Sequence, residues 1–180
     1  MSQPVVLVLA SGKGDRFIAS GGTGSKLAAL LAGKPVLEWT LAAVKASGLR
    51  WHLERAQHPG MGDSISAAVR ATKDASGWLI LPADLPLIRP ETLQAVADAL
   101  ALHDVVVPHY RGQRGHPVAF GETCEAALRA LSGPQGAQSI VRAEAAVGAV
   151  HDMEIDDDGI AVDIDTLADL RTAEQLLAAR

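Results

Sequence analysis

The sequence predicts an α/β domain in which helices cover both faces of a mostly parallel sheet, giving three layers. The main observation is that short apolar segments, typical of strands buried on both faces, alternate with longer segments of helical periodicity. The 180 residues are 48% hydrophobic and 21% charged, which fits one domain spanning residues 1–180. Because only 3% are aromatic, aliphatic side chains must fill the core, and these suit helices packed closely on a sheet.

In the first half of the chain, apolar and amphipathic segments alternate. Pro4 to Ala10 is an unbroken apolar run that indicates a buried strand. A Gly- and Ser-rich stretch over 11–25 separates it from a helix predicted over Pro35–Ser47, with proline in its first turn and Gly48 as its stop. The elements that follow are a short strand at 51–55, a helix within 63–76 and a second buried strand at 78–81.

The second half continues the alternation, with a helix over 90–102 and strands at 105–107 and 118–120. Asp157, Asp158 and Gly159 predict a hairpin turn that leads into a short strand over 160–164. The last helix begins at Thr166, where Thr166 and Asp169 form an N-cap pair. Between these parts we expect helices within 122–131 and 137–146 and a strand near 149–155.

Charge and cysteine content exclude several classes of function. Sixteen basic and 21 acidic residues give a net charge of -5, so the surface is not built to neutralise a nucleic acid. The single cysteine, Cys124, excludes an internal disulfide or a multi-cysteine zinc site and fits a reducing cytoplasm. The N-terminus lacks the basic region of a signal peptide, and no segment is apolar enough to span a membrane. We therefore expect a cytoplasmic protein that binds neither nucleic acid nor membrane.

The segment after the first strand has the composition of an anion-binding loop. In an open α/β sheet, ligands bind at the carboxyl ends of the strands. Small residues there let backbone amides approach an anion, and the cations Lys13, Arg16 and Lys26 follow. This combination predicts a triphosphate-binding loop, with a flexible surface loop as the alternative; its spacing matches neither a P-loop nor a dinucleotide fingerprint. The residues at the strand end are Leu9, Ala10, Ser11 and Gly12.

Other strand ends carry acidic residues and a histidine. Asp84 lies in LPADLP after the second buried strand, where a buried carboxylate needs a partner or a cation. Mg²⁺ takes one or two carboxylates plus substrate phosphates, so Asp84 facing the loop would suit a magnesium nucleotide; capping of a turn is the alternative. Asp163 is a candidate second ligand, whereas Asp165 is better placed to support the last helix. His116 ends a polar turn, where a lone histidine is either structural or catalytic.

Together these segments resemble the nucleotidyltransferase family that includes molybdenum cofactor cytidylyltransferase and guanylyltransferase. The resemblance covers most of the chain, in the family's order, and implies a Rossmann-like fold. It also implies Mg²⁺-dependent transfer of a nucleoside monophosphate from a nucleoside triphosphate to a phosphate-bearing acceptor, with release of pyrophosphate. The matching segments are LASGKGDR at the first strand end, SKLAALLAGKPVLEWTLAAV with Lys26, GMGDSISAAV from Gly60, LPADLPLIRPETL with Asp84, RGHPVAF with His116 and DIDTLADL with Asp163.

The resemblance implies a role for each candidate residue. Asp84 and Asp163 would hold Mg²⁺, while Arg16 and Lys26 would stabilise the triphosphate as pyrophosphate leaves. His116 would face the acceptor. The strand end from Leu9 to Gly12 would bind the nucleotide, and three further residues would hold its base: Gly60, Gly62 and Ser64.

The substrates follow from the same resemblance. GMGDS and RGHPV favour CTP over GTP, although Ser11 differs from both branches of the family. The implied acceptor is molybdopterin, with a molybdoenzyme or a chaperone as a further partner. Two alternatives stay open: a nucleotidyltransferase acting on a sugar or polyol phosphate, and a non-catalytic nucleotide-binding accessory protein.

Two departures from the family's pattern affect the expected structure. FIASGGTGS separates Arg16 from Lys26, so the phosphate loop is longer than usual. Between Gly48 and Gly60 there is room for one strand only, where the family has a strand, a helix and a strand. We therefore predict a sheet that lacks one strand-helix unit after the first helix.

Overall fold

The computed structural model describes residues 2–180, which form nine strands and seven α-helices. In chain order they are β1 (Val5–Leu9), α1 (Asp15–Ala19), β2 (Leu30–Leu31), β3 (Lys34–Pro35), α2 (Val36–Ala46), β4 (Arg50–Glu54), α3 (Met61–Ala71), β5 (Gly77–Pro82), α4 (Pro90–Leu100), β6 (Val105–Tyr110), β7 (Gln113–Arg114), β8 (Val118–Gly121), α5 (Glu125–Arg129), α6 (Gln138–Ala146), β9 (Val150–Glu154) and α7 (Leu167–Ala178). Short 3-10 helices lie at Glu122–Cys124 and Asp158–Ile160.

Seven strands form one sheet in the order β4-β1-β5-β8-β6-β7, with β9 also beside β6. β1 pairs in parallel with β4 and β5, and β6 pairs in parallel with β9. β8 is antiparallel to both of its neighbours, β5 and β6, so β6 and β9 run in the direction of β1. The prediction of a mostly parallel sheet is confirmed, and the carboxyl ends of β1 and β5 lie side by side.

Helices cover both faces of this sheet, as predicted. Val5, Leu7 and Leu9 of β1 pack into one apolar cluster with residues of α3 and α6. Val6 and Val8 pack into a second cluster with residues of α2 and α4 on the opposite face. Because successive side chains of a strand point to opposite faces, a strand between two cores must be apolar at every position. No helix within residues 2–180 combines the length and apolarity needed to cross a membrane.

Most predicted elements are present close to their expected bounds. Between Gly48 and Gly60 the described chain forms the single strand β4, which lies at the edge of the sheet beside β1. α7 begins with a capping box, in which the Thr166 hydroxyl accepts from the Asp169 amide and the Asp169 carboxylate accepts from the Thr166 amide. The N-cap pair predicted at this helix is therefore confirmed.

The Gly- and Ser-rich stretch over 11–25 is more ordered than its composition indicates. It contains the helix α1, whose Phe17 is buried. Gly22 lies directly against the Phe17 ring, where a Cβ would come within 2.4 Å of it. The small hairpin of β2 and β3, also missed, follows and precedes α2. The buried Phe17 ring therefore helps to anchor the stretch to the protein.

The hairpin and strand predicted over 157–164 are wrong. Residues 158–160 form a 3-10 helix, and 161–164 pair with no strand. The alternating apolar residues have a different use, because Ile160 and Ile164 pack into two separate apolar clusters. Gly159 is pressed against the Leu87 carbonyl oxygen, leaving no room for a Cβ. The segment is therefore an extended connection held by single buried side chains.

A buried carboxylate, Asp157, holds this connection in place. Its side chain is 1% exposed and accepts hydrogen bonds from the backbone amide of Arg89 at 3.0 Å, the Thr92 hydroxyl at 2.6 Å and the Gly159 amide at 2.9 Å. The guanidinium of Arg180 lies 3.6 Å away. These donors compensate the cost of burying the charge, and they tie the start of α4 to the segment before α7.

We predict that Asp157→Ala lowers the free energy of unfolding by about 3 kcal/mol, because it leaves several buried donors without an acceptor. Urea denaturation would measure the loss. Asp156→Ala is the matched control, since Asp156 is exposed and only its backbone carbonyl accepts a hydrogen bond. Equal stability of the two variants would contradict the anchoring role of Asp157.

Candidate active site

Acidic and basic side chains from distant parts of the chain meet beyond the carboxyl ends of β1 and β5. The Lys26 ammonium donates to Asp84 Oδ2 at 2.7 Å and to Asp165 Oδ1 at 2.9 Å. A guanidinium nitrogen of Arg16 lies 2.9 Å from Asp165 Oδ2. Three carboxylates form an acid cluster: Asp84, Asp163 and Asp165 each contribute an oxygen that lies within 4.8 Å of the other two.

The predicted site residues Arg16, Lys26, Asp84 and Asp163 are therefore brought together, and Asp165 joins them. The expectation that Asp165 supports the N-terminus of α7 is wrong. That task belongs to Asp169, whose carboxylate accepts from the backbone amides of Asp165 and Thr166 at 3.0 and 2.7 Å. The Asp165 side chain is thereby free to face the cations. The signal available in the sequence is the Asp-Ile-Asp spacing, which puts two carboxylates on one side of an extended segment.

Burial and mutual charge shift the pKa values in this cluster. Burial lowers the pKa of Lys26, but the charge of Asp84 and the hydrogen bonds to both aspartates outweigh it, so the pKa is raised. Burial, followed by the negative charge of Asp84, raises the pKa of Asp163. Burial alone would raise the pKa of Asp165, but the hydrogen bond and charge of Lys26, with the charge of Arg16, lower it. The cluster thus combines three carboxyl groups with two cations.

The donor set fits a divalent cation. Mg²⁺ prefers carboxylate oxygens and binds through one or two of them together with substrate phosphates. The second oxygen of Asp84, Oδ1, is buried and has no hydrogen-bond partner within residues 2–180. A buried carboxylate oxygen without a donor is costly in the free protein, and a bound cation would satisfy it.

The loop over 11–26, which was predicted to bind the triphosphate, is fixed to the C-terminal part of the chain. The Ser20 hydroxyl accepts from the Leu167 amide at 3.0 Å, and Arg16 pairs with Asp165. The Arg16 side chain is nevertheless 78% exposed, so most of its guanidinium faces solvent. Gly14, which adopts the left-handed conformation at φ 69°, lies against the Lys26 side chain. Of the loop's three cations, Lys13 and Arg16 are exposed, whereas Lys26 is mostly buried.

The residues predicted to bind the nucleotide fall into two groups. The first borders the open end of β1: the Ala10 amide donates to the Glu54 carbonyl at 2.9 Å, and the Ser11 hydroxyl lies 2.7 Å from that of Ser64. A Cβ at Gly12 would meet no atom within 4 Å, so the space over this residue is free for a ligand. Leu9 lines the cavity beside His116.

The second group has a packing role. A Cβ at Gly60 would come within 2.2 Å of the Gly133 carbonyl oxygen, and one at Gly62 within 2.8 Å of the Ser132 carbonyl oxygen. The Gly62 amide already donates to the Gly133 carbonyl at 2.9 Å. Both glycines are therefore required by the close approach of α3 to the loop after α5, whether or not they also contact the base of a nucleotide. Of this set, Ser64 is the residue that contacts the strand-end loop, residues 9–12, through Ser11.

His116 borders a cavity of about 620 Å³ beside the acid cluster. Its Nδ1 is buried without a hydrogen-bond partner in the described chain. Burial lowers the pKa of His116 more than the nearby charge of Asp84 raises it, so the ring is neutral near pH 7. Arg114, which sequence reasoning did not single out, lines the same cavity. Its position two residues before His116 in RGHPV is the available signal. The cavity combines an apolar floor, including Ile80 and Phe120, with these polar groups.

Comparison with known families identifies the domain that carries this geometry. Residues 40–148 match the sequence profile of the MobA-like NTP transferase domain. The chain belongs to the MobA-like NTP transferase family. The match confirms the prediction of an NTP transferase domain and includes Asp84 and His116. The phosphate loop with Arg16 and Lys26 lies before the matched residues, and Asp163 lies after them.

Relatives of the MobA-like domain agree with this assignment. Purine catabolism protein PucB of Bacillus subtilis is 34% identical over 137 residues, which cover 72% of this chain and 65% of PucB. The chain thus spans just under two thirds of the length of this relative.

Solved structures show the same fold. Rv0371c of Mycobacterium tuberculosis aligns with a TM-score of 0.78 at 20% identity, covering 97% of this chain and 98% of Rv0371c. The structure of its manganese complex aligns with a TM-score of 0.74 at 19% identity and covers 97% and 98% of the two chains. Molybdopterin-guanine dinucleotide biosynthesis protein A of Archaeoglobus fulgidus aligns with a TM-score of 0.61 at 18% identity over 98% of this chain and 100% of its own. The Rossmann-like fold of the MobA-like domain is therefore confirmed.

Two glycine substitutions separate the packing role from the ligand role. Gly62→Ala should lower the free energy of unfolding by about 2 kcal/mol, because α3 and the Ser132 backbone must move apart. Gly12→Ala should leave stability unchanged, since its Cβ meets open space, but should weaken nucleoside triphosphate binding there. Urea denaturation and calorimetric titration with CTP and GTP would measure both effects. Unchanged affinity for nucleoside triphosphate in Gly12→Ala would contradict the prediction that the strand-end loop binds the nucleotide.

Proposed function

We propose that the MobA-like domain transfers a nucleoside monophosphate from a nucleoside triphosphate to a phosphate-bearing acceptor in a Mg²⁺-dependent reaction that releases pyrophosphate. The observation that carries the proposal is the cluster of Asp84, Asp163 and Asp165 with Lys26 and Arg16 at the carboxyl ends of β1 and β5. Ligands bind at this edge of open α/β sheets. A cytoplasmic setting is part of the proposal, since Cys124 is the single cysteine of the chain.

The three carboxylates would hold the magnesium ion, which when bound neutralises charge on the phosphates. Asp163 is the second ligand predicted after Asp84, and the geometry adds Asp165 as a third donor. The orphaned Asp84 Oδ1 supports this assignment, because it gains a partner only when a cation or donor enters. The crystal structure of Rv0371c in complex with manganese supports divalent metal use among proteins of this fold.

The chain's own residues would act by positioning and by charge. An oxygen of the acceptor phosphate attacks the α-phosphorus in line, forming a new P–O bond as the bond to the β-phosphate oxygen breaks. The electron pair of that bond leaves with pyrophosphate. Arg16 and Lys26 would stabilise the negative charge that develops on the leaving group, and the strand-end loop would orient the triphosphate with its amides. The mechanism needs no protein nucleophile.

The acceptor is proposed to enter the cavity beside His116. A volume of about 620 Å³ suits a drug-sized molecule, and Arg114 would pair with an acceptor phosphate. Neutral His116 has one donor and one acceptor nitrogen, so it can donate a hydrogen bond to a polar group of the acceptor or accept one from it. Molybdopterin is the proposed acceptor, supported by the family match and by the fold shared with the Archaeoglobus protein of molybdopterin-guanine dinucleotide biosynthesis. A molybdoenzyme or its chaperone is the proposed recipient of the product.

The nucleotide is proposed to be CTP in preference to GTP. The support is the pair of segments GMGDS and RGHPV, which resemble the cytidylyl branch of the family. In the folded protein, Ser64 of the first segment meets Ser11 of the strand-end loop at 2.7 Å. The Ser11 hydroxyl would face the base side of the nucleotide and can donate to or accept from it, and the buried Ser64 hydroxyl would orient that of Ser11.

A screen of the four nucleoside triphosphates with Mg²⁺ and candidate acceptors tests the proposal, with pyrophosphate release as the readout. We expect release with CTP and molybdopterin, less with GTP, and little with sugar or polyol phosphates. Turnover with a sugar or polyol phosphate only would overturn the acceptor assignment. Metal-dependent nucleotide binding without transfer to any acceptor would show a non-catalytic accessory protein.

Asp84→Asn should reduce nucleotidyl transfer by about three orders of magnitude or more, because it removes one negative ligand and leaves a neutral amide at the metal position. Circular dichroism should show an unchanged fold, since the substitution preserves shape. Asp74→Asn serves as the matched control: Asp74 pairs with Arg50 on the surface, away from the cluster. Full activity of the Asp84→Asn variant would contradict the assignment of Asp84 as a metal ligand.

A further inference from the structure

The Lys26 ammonium lies inside the acid cluster rather than beside it. Its Nζ makes a 2.7 Å contact with Asp84 and a 2.9 Å contact with Asp165, and its side chain is only 14% exposed. These two aspartates and Asp163 are the carboxylates whose oxygens lie within 4.8 Å of one another. An ammonium at hydrogen-bonding distance from two of the three donors occupies the space between them.

A divalent cation and this ammonium cannot share that space. A magnesium ion lies about 2.1 Å from each carboxylate oxygen that it binds. If it bound Asp84 and Asp165 together, it would lie within a few ångströms of Nζ, and the two positive charges would repel each other strongly in a poorly solvated site. Binding of the metal through the two oxygens that Lys26 contacts, Asp84 Oδ2 and Asp165 Oδ1, therefore requires Lys26 to leave them.

We propose that Lys26 is a resident counter-ion of the acid cluster, which a divalent cation displaces and thereby releases towards the triphosphate. The inference rests on the proposed function in one respect, namely that the cluster takes a divalent cation. It adds a second state of Lys26: paired with Asp84 and Asp165 when no metal is bound, and pointing into the loop when the metal is bound. Metal binding and preparation of the phosphate site become one event.

The surroundings of Lys26 allow this change without unfolding the loop. The residue after it, Leu27, packs against two apolar clusters and holds the backbone in place. A Cβ at Gly14 would lie 3.7 Å from Lys26 Cγ, so the stem borders a position without a side chain. Asp165 keeps Arg16 as a partner after Lys26 departs. The movement is thus a change of side-chain rotamer at the end of an anchored loop.

The first test measures Mn²⁺ affinity without nucleotide, by electron paramagnetic resonance titration of the full chain. Lys26→Met keeps an unbranched stem and removes the competing charge, so we expect about tenfold tighter Mn²⁺ binding. Lys73→Met removes an equal charge elsewhere on the surface and should leave the affinity unchanged. Unchanged or weaker binding by Lys26→Met would overturn the proposal.

A second substitution separates displacement from a general gain in negative potential. Arg16→Met also removes a positive charge that pairs with Asp165, but it vacates no position between Asp165 and Asp84. Its effect on Mn²⁺ affinity should be clearly smaller than that of Lys26→Met. Equal effects would mean that Lys26 acts only through its charge, and the displacement would be rejected.

The unsubstituted chain provides a direct readout. In protein labelled with ¹⁵N-lysine, the Lys26 ammonium signal should be visible in the metal-free state, because its protons are held by two carboxylates. Added Mg²⁺ should shift or abolish this signal while that of Lys34, which lies over the Trp39 ring, stays unchanged. Mg²⁺ binding with an unaltered Lys26 signal would refute the displacement and leave the proposed function standing. Absence of Mg²⁺ binding with and without CTP would instead refute the proposed function.

Discussion

Repulsion among three carboxylates is the constraint around which this end of the molecule is organised. Asp84, Asp163 and Asp165 would not lie so close together without positive charge between them, and Lys26 and Arg16 supply it. These five residues come from three parts of the chain: the loop after β1, the turn after β5 and the segment before α7. Folding must therefore bring all three together for the site to be stable, which couples the site to the integrity of the fold.

The scaffold fixes the most irregular of these segments at both ends. Asp157 anchors its beginning to the start of α4, and the capping box of Thr166 and Asp169 fixes its end. Between them, Ile160 and Ile164 are each fully buried, in different clusters. Backbone without a partner strand thus gains its order from individual side chains. Such a connection can present two carboxylates at a sheet edge, whereas in a strand of the sheet they would project onto one of its covered faces.

The glycines show that a motif associated with binding can have a packing cause. Gly60 and Gly62 allow α3 to approach the backbone of residues 132–133, and any side chain would separate them. Gly12 has no such neighbour and faces free space at the end of β1. The requirement for glycine is therefore steric in the first case and, in our proposal, a matter of ligand access in the second. The cavity beside His116 extends the same edge of the sheet, so nucleotide and acceptor would meet next to the carboxylates.

The sequence by itself determined the parts of the protein whose causes are local. An apolar run such as Pro4 to Ala10 indicates a strand between two cores, and helical periodicity and stop signals located α2, α3, α4 and the start of α7. Motif resemblance extended this to the family, and it singled out Asp84 and Lys26, which the structure brings into contact. Local patterns were misleading at 160–164, where alternation came from two separate burial sites rather than from a strand.

Only the tertiary structure decided which charges meet. The choice between Asp165 and Asp169 as the residue that supports α7 depends on side-chain direction, and spacing alone allows both. The partners of Lys26 lie 58 and 139 residues further along the chain, so no local rule connects them. The contact of Gly62 with the loop after α5 is equally remote in sequence. Capping and periodicity act within one or two helical turns, whereas ion pairing and close backbone packing depend on the path of the whole chain, which the packing of the sheet and its two cores sets.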